Sequence, residues 1–273
     1  RTLSGRTGCA ACTRDMTKLD NVIRAGLFWL VSAGNPFLVR IMVPVVMNWS
    51  GGKDSCMALY KTLQSGEWSV QALMTTFQLD VQTDVDRVSH HEVPSSLMKA
   101  QAESLGLRLD EIYLPDLPER EEYEGIMRKA LNLWSDYGIR NAIFGDIFLE
   151  DLRKHREDNL SMAGWAAHFP LWKQDTWSLA REFIGLGFKA IVVSVDGEKL
   201  GPDYCGRSYD ESFLSDLPEG VDPCGEHGEF HTFVYDGPMF QKPVLFRPLE
   251  TKTRNYQWEG KSQDFHYLVL EAN

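Results

Sequence analysis

Ser50-Gly51-Gly52-Lys53-Asp54-Ser55 carries the residue types needed to hold an anion. Two adjacent glycines let the backbone curl so that successive N–H groups point inward. Ser50 and Ser55 add hydroxyl donors, and Lys53 adds a point charge. A helix beginning just after the loop would contribute the positive end of its dipole. The string differs from the Gly-x-x-x-x-Gly-Lys-Ser/Thr phosphate loop, because Asp54 follows the lysine. Its structural alternative is an ordinary strand-to-helix turn capped by Ser or Asp.

Other groups have usable chemistry. In Phe144-Gly145-Asp146-Ile147, Gly145 permits close approach and Asp146 could hold Mg²⁺ or a substrate group, or simply cap a helix. Arg153, His155 and Arg156 form a basic cluster that could neutralise a phosphate or carboxylate, or line a solvated helix face. The segment from Asp222 to Thr232 is the densest, with Cys224, Glu226, His227, Glu229 and His231. It lacks the Cys/His spacing of a closed zinc site, so a polar pocket for a small substrate fits better. His91 stands just before Glu92-Val93-Pro94, at a predicted helix start. Pro170-Leu171-Trp172 reads as packing, and Cys9-x-x-Cys12 is a lone pair of little weight.

The elements that must position these groups follow from hydrophobic period. Val43 to Trp49 is a short apolar run rich in β-branched residues and predicts a buried strand ahead of the loop. Cys56 to Leu63 predicts a helix, and Val70 to Phe77 a second strand. A helix is expected from Pro94 to Leu105, with Gly106 as its stop. Leu109 to Leu114 is a third strand, and Glu121 to Tyr137 has helical apolar spacing ended by Gly138. Asn141 to Phe144 is a fourth strand. Helices fit 149–164 and 175–186, and Ala190 to Val195 is a further strand. Alternating strands and helices indicate βαβ units and a mostly parallel sheet. After about residue 200, short strands and Gly/Pro-rich turns predict a second, smaller α+β lobe.

Bulk composition narrows the class. The chain has 273 residues, 43% of them hydrophobic, enough for one large core or two modest domains. Its net charge of −11 disfavours extended nucleic-acid contact. Five irregularly spaced cysteines fit a reducing, cytoplasmic setting better than a disulfide scaffold. No apolar run approaches bilayer length, so no membrane contact is expected. Residues 1–41 carry six Lys/Arg against two Asp, with no helical or strand period. They are expected to be an extension outside the core. The expected organisation is this extension over 1–41, a phosphate-loop domain over 42–198 and a smaller lobe over 199–273 that would face a substrate.

The six-residue loop resembles the signature of the PP-loop ATP pyrophosphatases. Thr75-Thr76, His91-x-Val93-Pro94, Gly145-Asp146-Ile147, Pro170-Leu171-Trp172, Gly185-x-Gly187-Phe188-Lys189-Ala190, Gly206-Arg207 and Cys224-Gly225-Glu226-x-Gly228-Glu229-Phe230 follow it in order. Over about residues 43–246 the set is similar to the diphthine–ammonia ligase branch. That resemblance implies an α/β fold: a parallel-sheet, Rossmann-like PP-loop domain with a second lobe. It also implies cleavage of ATP to AMP and pyrophosphate, and activation of a carboxylate as an acyl-adenylate that ammonia attacks. Lys53, Asp54, Asp146, Glu226 and Glu229 would be catalytic, with Mg²⁺ at Asp146. Ser50 to Ser55, Thr75, Thr76 and Gly145 would bind ATP. His91, Arg153, Arg156, Glu226, Glu229 and His231 would face the substrate. The partners would be ATP, ammonia or another small nucleophile, and an acceptor carboxylate on a protein or small molecule; a homodimer is compatible. The chain departs from the branch at His231, where diphthine-acting members typically carry an acidic residue, so the chemistry carries over better than the substrate. Two alternatives stand beside this: the same ATP half with a thiolation-type acceptor, or a nucleotide sensor without turnover.

Overall fold

The computed structural model describes residues 41–78, 87–88, 92–115, 119–258 and 261–273. The extension read at 1–41, apart from Ile41, lies outside the described residues, as do His91 and the Cys9/Cys12 pair.

Strand β1 (Val43–Asn48) sits at the centre of the parallel sheet. Val45, Met47 and the following Trp49 join one core, and Val46 joins the other. Apolar burial on both faces is what a strand covered by helices on each side requires. β1 pairs in parallel with β2 (Trp68–Gln78) and β5 (Asn141–Ile143). β4 (Leu109–Leu114) pairs with β2 and β6 (Ala166–His168) with β5, again in parallel. The two-residue β3 (Arg87–Val88) lies antiparallel on the end of β2.

Helix α1 (Lys53–Ser65) follows β1 and buries Cys56, Met57 and Leu59 in the first core. Gly66 ends it in the left-handed region. α2 (Ser95–Leu105) adds Leu97 and Met98 to the same core. On the other face, α3 (Arg120–Ser135) and α4 (Glu150–Met162) contribute Leu131, Trp134 and Leu160. α5 (Thr176–Gly185) starts at Asp175, whose carboxylate accepts from the Ser178 amide.

The second sheet is antiparallel, in the order β8 (Phe230–Asp236), β7 (Lys189–Asp196), β10 (Lys261–Ala272), β9 (Phe246–Trp258). The strand expected at Ala190–Val195 therefore forms, but not in the parallel sheet. A strand buried on both faces reads the same whichever way its neighbours run, so period cannot decide the pairing. Strands β9 and β10 are also longer than the short strands expected, because β9 is exposed along most of its length and its polar sequence shows little period.

The two sheets share one hydrophobic core. Val45 and Leu59 of the first lie in the same cluster as Val192, Phe230 and Phe233 of the second. This packing brings β8 against the start of α1, and no helix among the described residues is long and apolar enough to cross a membrane.

Candidate active site

The loop between β1 and α1 is held from below by one buried side chain. Gln101 of α2 is fully buried. Its carbonyl oxygen accepts from Trp49 Nε1 at 2.7 Å, and its amide donates to Gly51 O at 3.0 Å and Val234 O at 2.6 Å. Gly51 has φ +76°, and a Cβ there would lie 2.8 Å from Gln101 Oε1 and Met98 Sδ, so the position needs glycine. The loop is also stitched to β8: Val234 N donates to Gly51 O at 3.0 Å and Lys53 N to Thr232 Oγ1 at 3.0 Å. Gln101 is the functional residue that motif reading misses. The available signal is a glutamine on the apolar stripe of Leu97, Met98 and Ala102.

Lys53 points inward. It is 4% exposed, and Nζ donates to Asp54 Oδ2 at 2.8 Å and to the Cys224 carbonyl, beneath the Phe230 ring. Burial works against its charge, but Asp54 and the acidic groups behind it outweigh that, and its pKa lies above the ordinary lysine value. Asp54, 31% exposed, has its carboxyl raised by burial against the pull of Lys53, with Asp222 and Asp146 adding to the rise. Asp54, Cys224 and Glu226 thus surround one buried lysine, with Asp146 and Asp222 beside Asp54. Gly52 offers α1 no side-chain cap; Thr232 takes the Lys53 amide, and the rest of the first turn presents the positive end of the helix dipole.

Gly145 follows β5 and packs on the first turn of α1; a Cβ would sit 2.9 Å from Asp54 C and 3.0 Å from Ser55 N. That contact seats Asp146 beside Asp54. The Asp146 carboxyl is raised by burial, against the pull of Arg156. Arg156 Nε lies 3.0 Å from Asp146 Oδ2, yet both atoms are buried without a directed hydrogen bond. Their contact is an ion pair that holds Arg156 against the Asp146 carboxylate. Among the described residues no three metal-ligating side chains converge.

Glu226 joins the two halves of the site. Its Oε1 accepts from the amides of Ile147 at 2.7 Å and Phe148 at 3.2 Å. Burial pushes its pKa to about 7, against those two bonds and with the help of Asp54. This has a testable sign. Because the folded value of about 7 exceeds the ordinary 4.5, the stabilising contribution is fully present below 4.5 and is lost as pH rises through 7. The melting temperature is expected to fall across that window, and Glu226→Gln to flatten the fall. A wild-type curve flat over the window would contradict the assignment.

The Glu229 carboxylate turns into its own loop. It is 2% exposed, with Oε1 accepting from Asp222 N at 3.2 Å and Oε2 from His227 N at 3.0 Å. It braces the tight loop that presents Glu226. Glu229→Gln turns an NH₂ group toward one of those amides and is expected to cost about 1–3 kcal/mol in denaturant unfolding. Loss of turnover with unchanged stability would instead put Glu229 in the chemistry.

The remaining expected residues divide. Ser50 Oγ donates to Ser55 Oγ at 3.3 Å, and Ser55 Oγ to Gly52 O at 2.9 Å, so both hydroxyls belong to the loop. Thr75 is buried and its hydroxyl donates to Trp49 O at 2.8 Å, which ties β2 to the loop's base. Thr76 is half-buried on the opposite face of β2. Arg153 stacks on Trp172 at 4.5 Å and pairs with Glu157 at 2.7 Å, while Arg156 pairs with Asp146. His231 lies on β8, in register with Ser194.

Residues 42–162 match the diphthamide synthase N-terminal domain, and residues 175–267 match the diphthamide synthase C-terminal domain. The chain is 29% identical over 222 residues to the diphthine–ammonia ligase of Danio rerio, covering 74% of this chain and 86% of that protein. It is 29% identical over 220 residues to the Homo sapiens protein of the same name, covering 72% and 80%. With the Schizosaccharomyces pombe protein of that name the identity is 24% over 238 residues, covering 82% of this chain and 38% of that protein. Both halves of the matched pair contribute to the site above, the first through the loop and Asp146 and the second through Glu226. The chain belongs to the diphthamide synthase family of ATP-dependent ligases.

Proposed function

We propose that this ligase activates a carboxylate at the α-phosphate of ATP and passes the acyl group to ammonia. One carboxylate oxygen bonds to the α-phosphorus as the bond to the bridging oxygen breaks and pyrophosphate leaves. Ammonia then bonds to the acyl carbon, and AMP leaves with the electron pair. Ammonium must first lose a proton, and Glu226 in its carboxylate form takes it. Glu226 is the observation that carries this reading: its carboxylate bridges the second-lobe loop to the amides that follow Asp146, beside Asp54, and burial raises its pKa to about 7, which suits proton transfer near neutrality.

The triphosphate would meet the start of α1 at Gly52, with Ser50 and Asp54 partly accessible beside it. Crowded carboxylates at Asp54, Asp146 and Asp222 would repel a bare triphosphate. A Mg²⁺ ion arriving with the nucleotide would be held by phosphate oxygens and Asp146, and it would supply charge neutralisation. Lys53 acts by fixing Asp54 and the Cys224 carbonyl. The relatives' names give diphthine as the acceptor, so its carboxylate is the first to test. His231 favours a second carboxylate substrate as the alternative. A thiolation acceptor is less favoured, since burial pushes the Cys56 and Cys224 thiols up.

With ATP, Mg²⁺, ammonium and a diphthine-bearing elongation factor or extract fractions, nucleotide release is expected as AMP and pyrophosphate, dependent on the acceptor. Formation of ADP and orthophosphate would contradict the proposal.

A further inference from the structure

Two successive carbonyls of the second-lobe loop are gripped from opposite sides. The Cys224 carbonyl takes Lys53 Nζ from the phosphate loop, and the Pro223 carbonyl accepts the Tyr209 hydroxyl at 2.7 Å. Tyr209 is 3% exposed, and its amide donates to Ala190 O of β7 at 2.9 Å. Its ring packs on Phe213, Phe183 and Phe230, with centroids 5.5, 5.6 and 6.0 Å away. The Lys53 ammonium lies 5.8 Å from the centre of the Tyr209 ring. A phenylalanine would fill this aromatic cluster equally well, so the hydroxyl adds one thing, its hold on Pro223. Burial raises the phenol well above its ordinary pKa, which keeps that hydroxyl a donor.

Around Pro223 the chain turns tightly. Asp222 Oδ1 accepts from Cys224 N at 2.8 Å, and Gly225 N donates to Asp222 O at 2.9 Å. Glu226 leaves this turn to reach the amides of Ile147 and Phe148. We propose that Tyr209 is a positioning residue for the reaction: by holding Pro223, it sets where Glu226 and the Cys224 carbonyl stand against the phosphate loop. Its hydroxyl is engaged with Pro223, so it acts through the turn and not on substrate. A shift of about 1 Å in a reacting group can cost about 10²-fold in rate, so such a brace matters. The part given to Glu226 rests on the ligase reading above, but the main readout needs no turnover.

Tyr209→Phe keeps the ring and removes the hydroxyl. Tyr204→Phe is the control, because that hydroxyl donates to the Asp216 carbonyl and its ring packs on Phe213 at 6.0 Å. Amide hydrogen exchange is followed by NMR on the full chain, well below its melting temperature. In Tyr209→Phe the Ile147 and Phe148 amides are expected to exchange about tenfold faster, the worth of one hydrogen bond. The Val46 and Met47 amides of β1 should keep their wild-type rates, and Tyr204→Phe should move neither pair. In the AMP assay kcat should fall about tenfold in Tyr209→Phe with the KM for ATP unchanged. Wild-type exchange at both Ile147 and Phe148, the same acceleration in Tyr204→Phe, or a raised KM for ATP with kcat unchanged would overturn the proposal. Release of ADP would remove the ligase reading and leave the exchange result standing.

Discussion

Lys53→Ala is expected to reduce turnover by about 10²–10³ and to lower stability as well. The rate effect follows from the position of Lys53 at the first residue of α1, where it fixes the Asp54 carboxylate at 2.8 Å. The stability effect follows from burial. Removing Nζ leaves the Cys224 carbonyl without its donor and Asp54 without its partner. Breaking a buried pair typically costs about 3–5 kcal/mol, and the partial exposure of Asp54 favours the low end. Asp54→Asn separates the two effects. It keeps an acceptor for Nζ but removes the counter-charge of a buried lysine, so it should lose turnover to a similar degree and lose less stability than Lys53→Ala. Turnover and melting curves on both variants check the pair; a fully stable Lys53→Ala would show that the lysine is not the brace described.

Gln101→Leu is the second large effect. Leucine nearly matches the volume but supplies neither donor nor acceptor, so Trp49 Nε1, Gly51 O and Val234 O lose their buried partner together. Gly51 and Val234 still pair through Val234 N, so the loss is partial for that carbonyl. An unsatisfied buried group costs about 1–3 kcal/mol, and an overall loss of roughly 3 kcal/mol is expected in urea unfolding. The loop should also hold nucleotide less well, because Gly51 is no longer pinned from α2. A variant with unchanged stability and unchanged nucleotide affinity would remove Gln101 from the account.

The loop itself was legible in the sequence because its chemistry is local. Two glycines, a lysine and a following helical period predict the strand–loop–helix unit formed by β1 and α1. Gly145 and Asp146 were legible for the same reason, at the end of an apolar strand. The division between Glu226 and Glu229 was not. Both are loop carboxylates three residues apart, and only the fold shows that Glu229 accepts from its own loop while Glu226 reaches the amides after β5. Thr75 resembles a ligand residue in sequence, yet its hydroxyl is taken by Trp49 O. The placement of β7 depends on long-range pairing with β8 and β10, which hydrophobic period does not encode. Gln101 was hidden because its three partners lie 50 to 133 positions away.

Isotope transfer tests the central claim most directly. The acceptor carboxylate is labelled with ¹⁸O, one turnover is run with ATP and ammonium, and the AMP is analysed by mass spectrometry. Attack of the carboxylate on the α-phosphate predicts that one ¹⁸O from each acceptor appears in the phosphate of AMP. Label found in orthophosphate, or AMP carrying none, would contradict an acyl-adenylate.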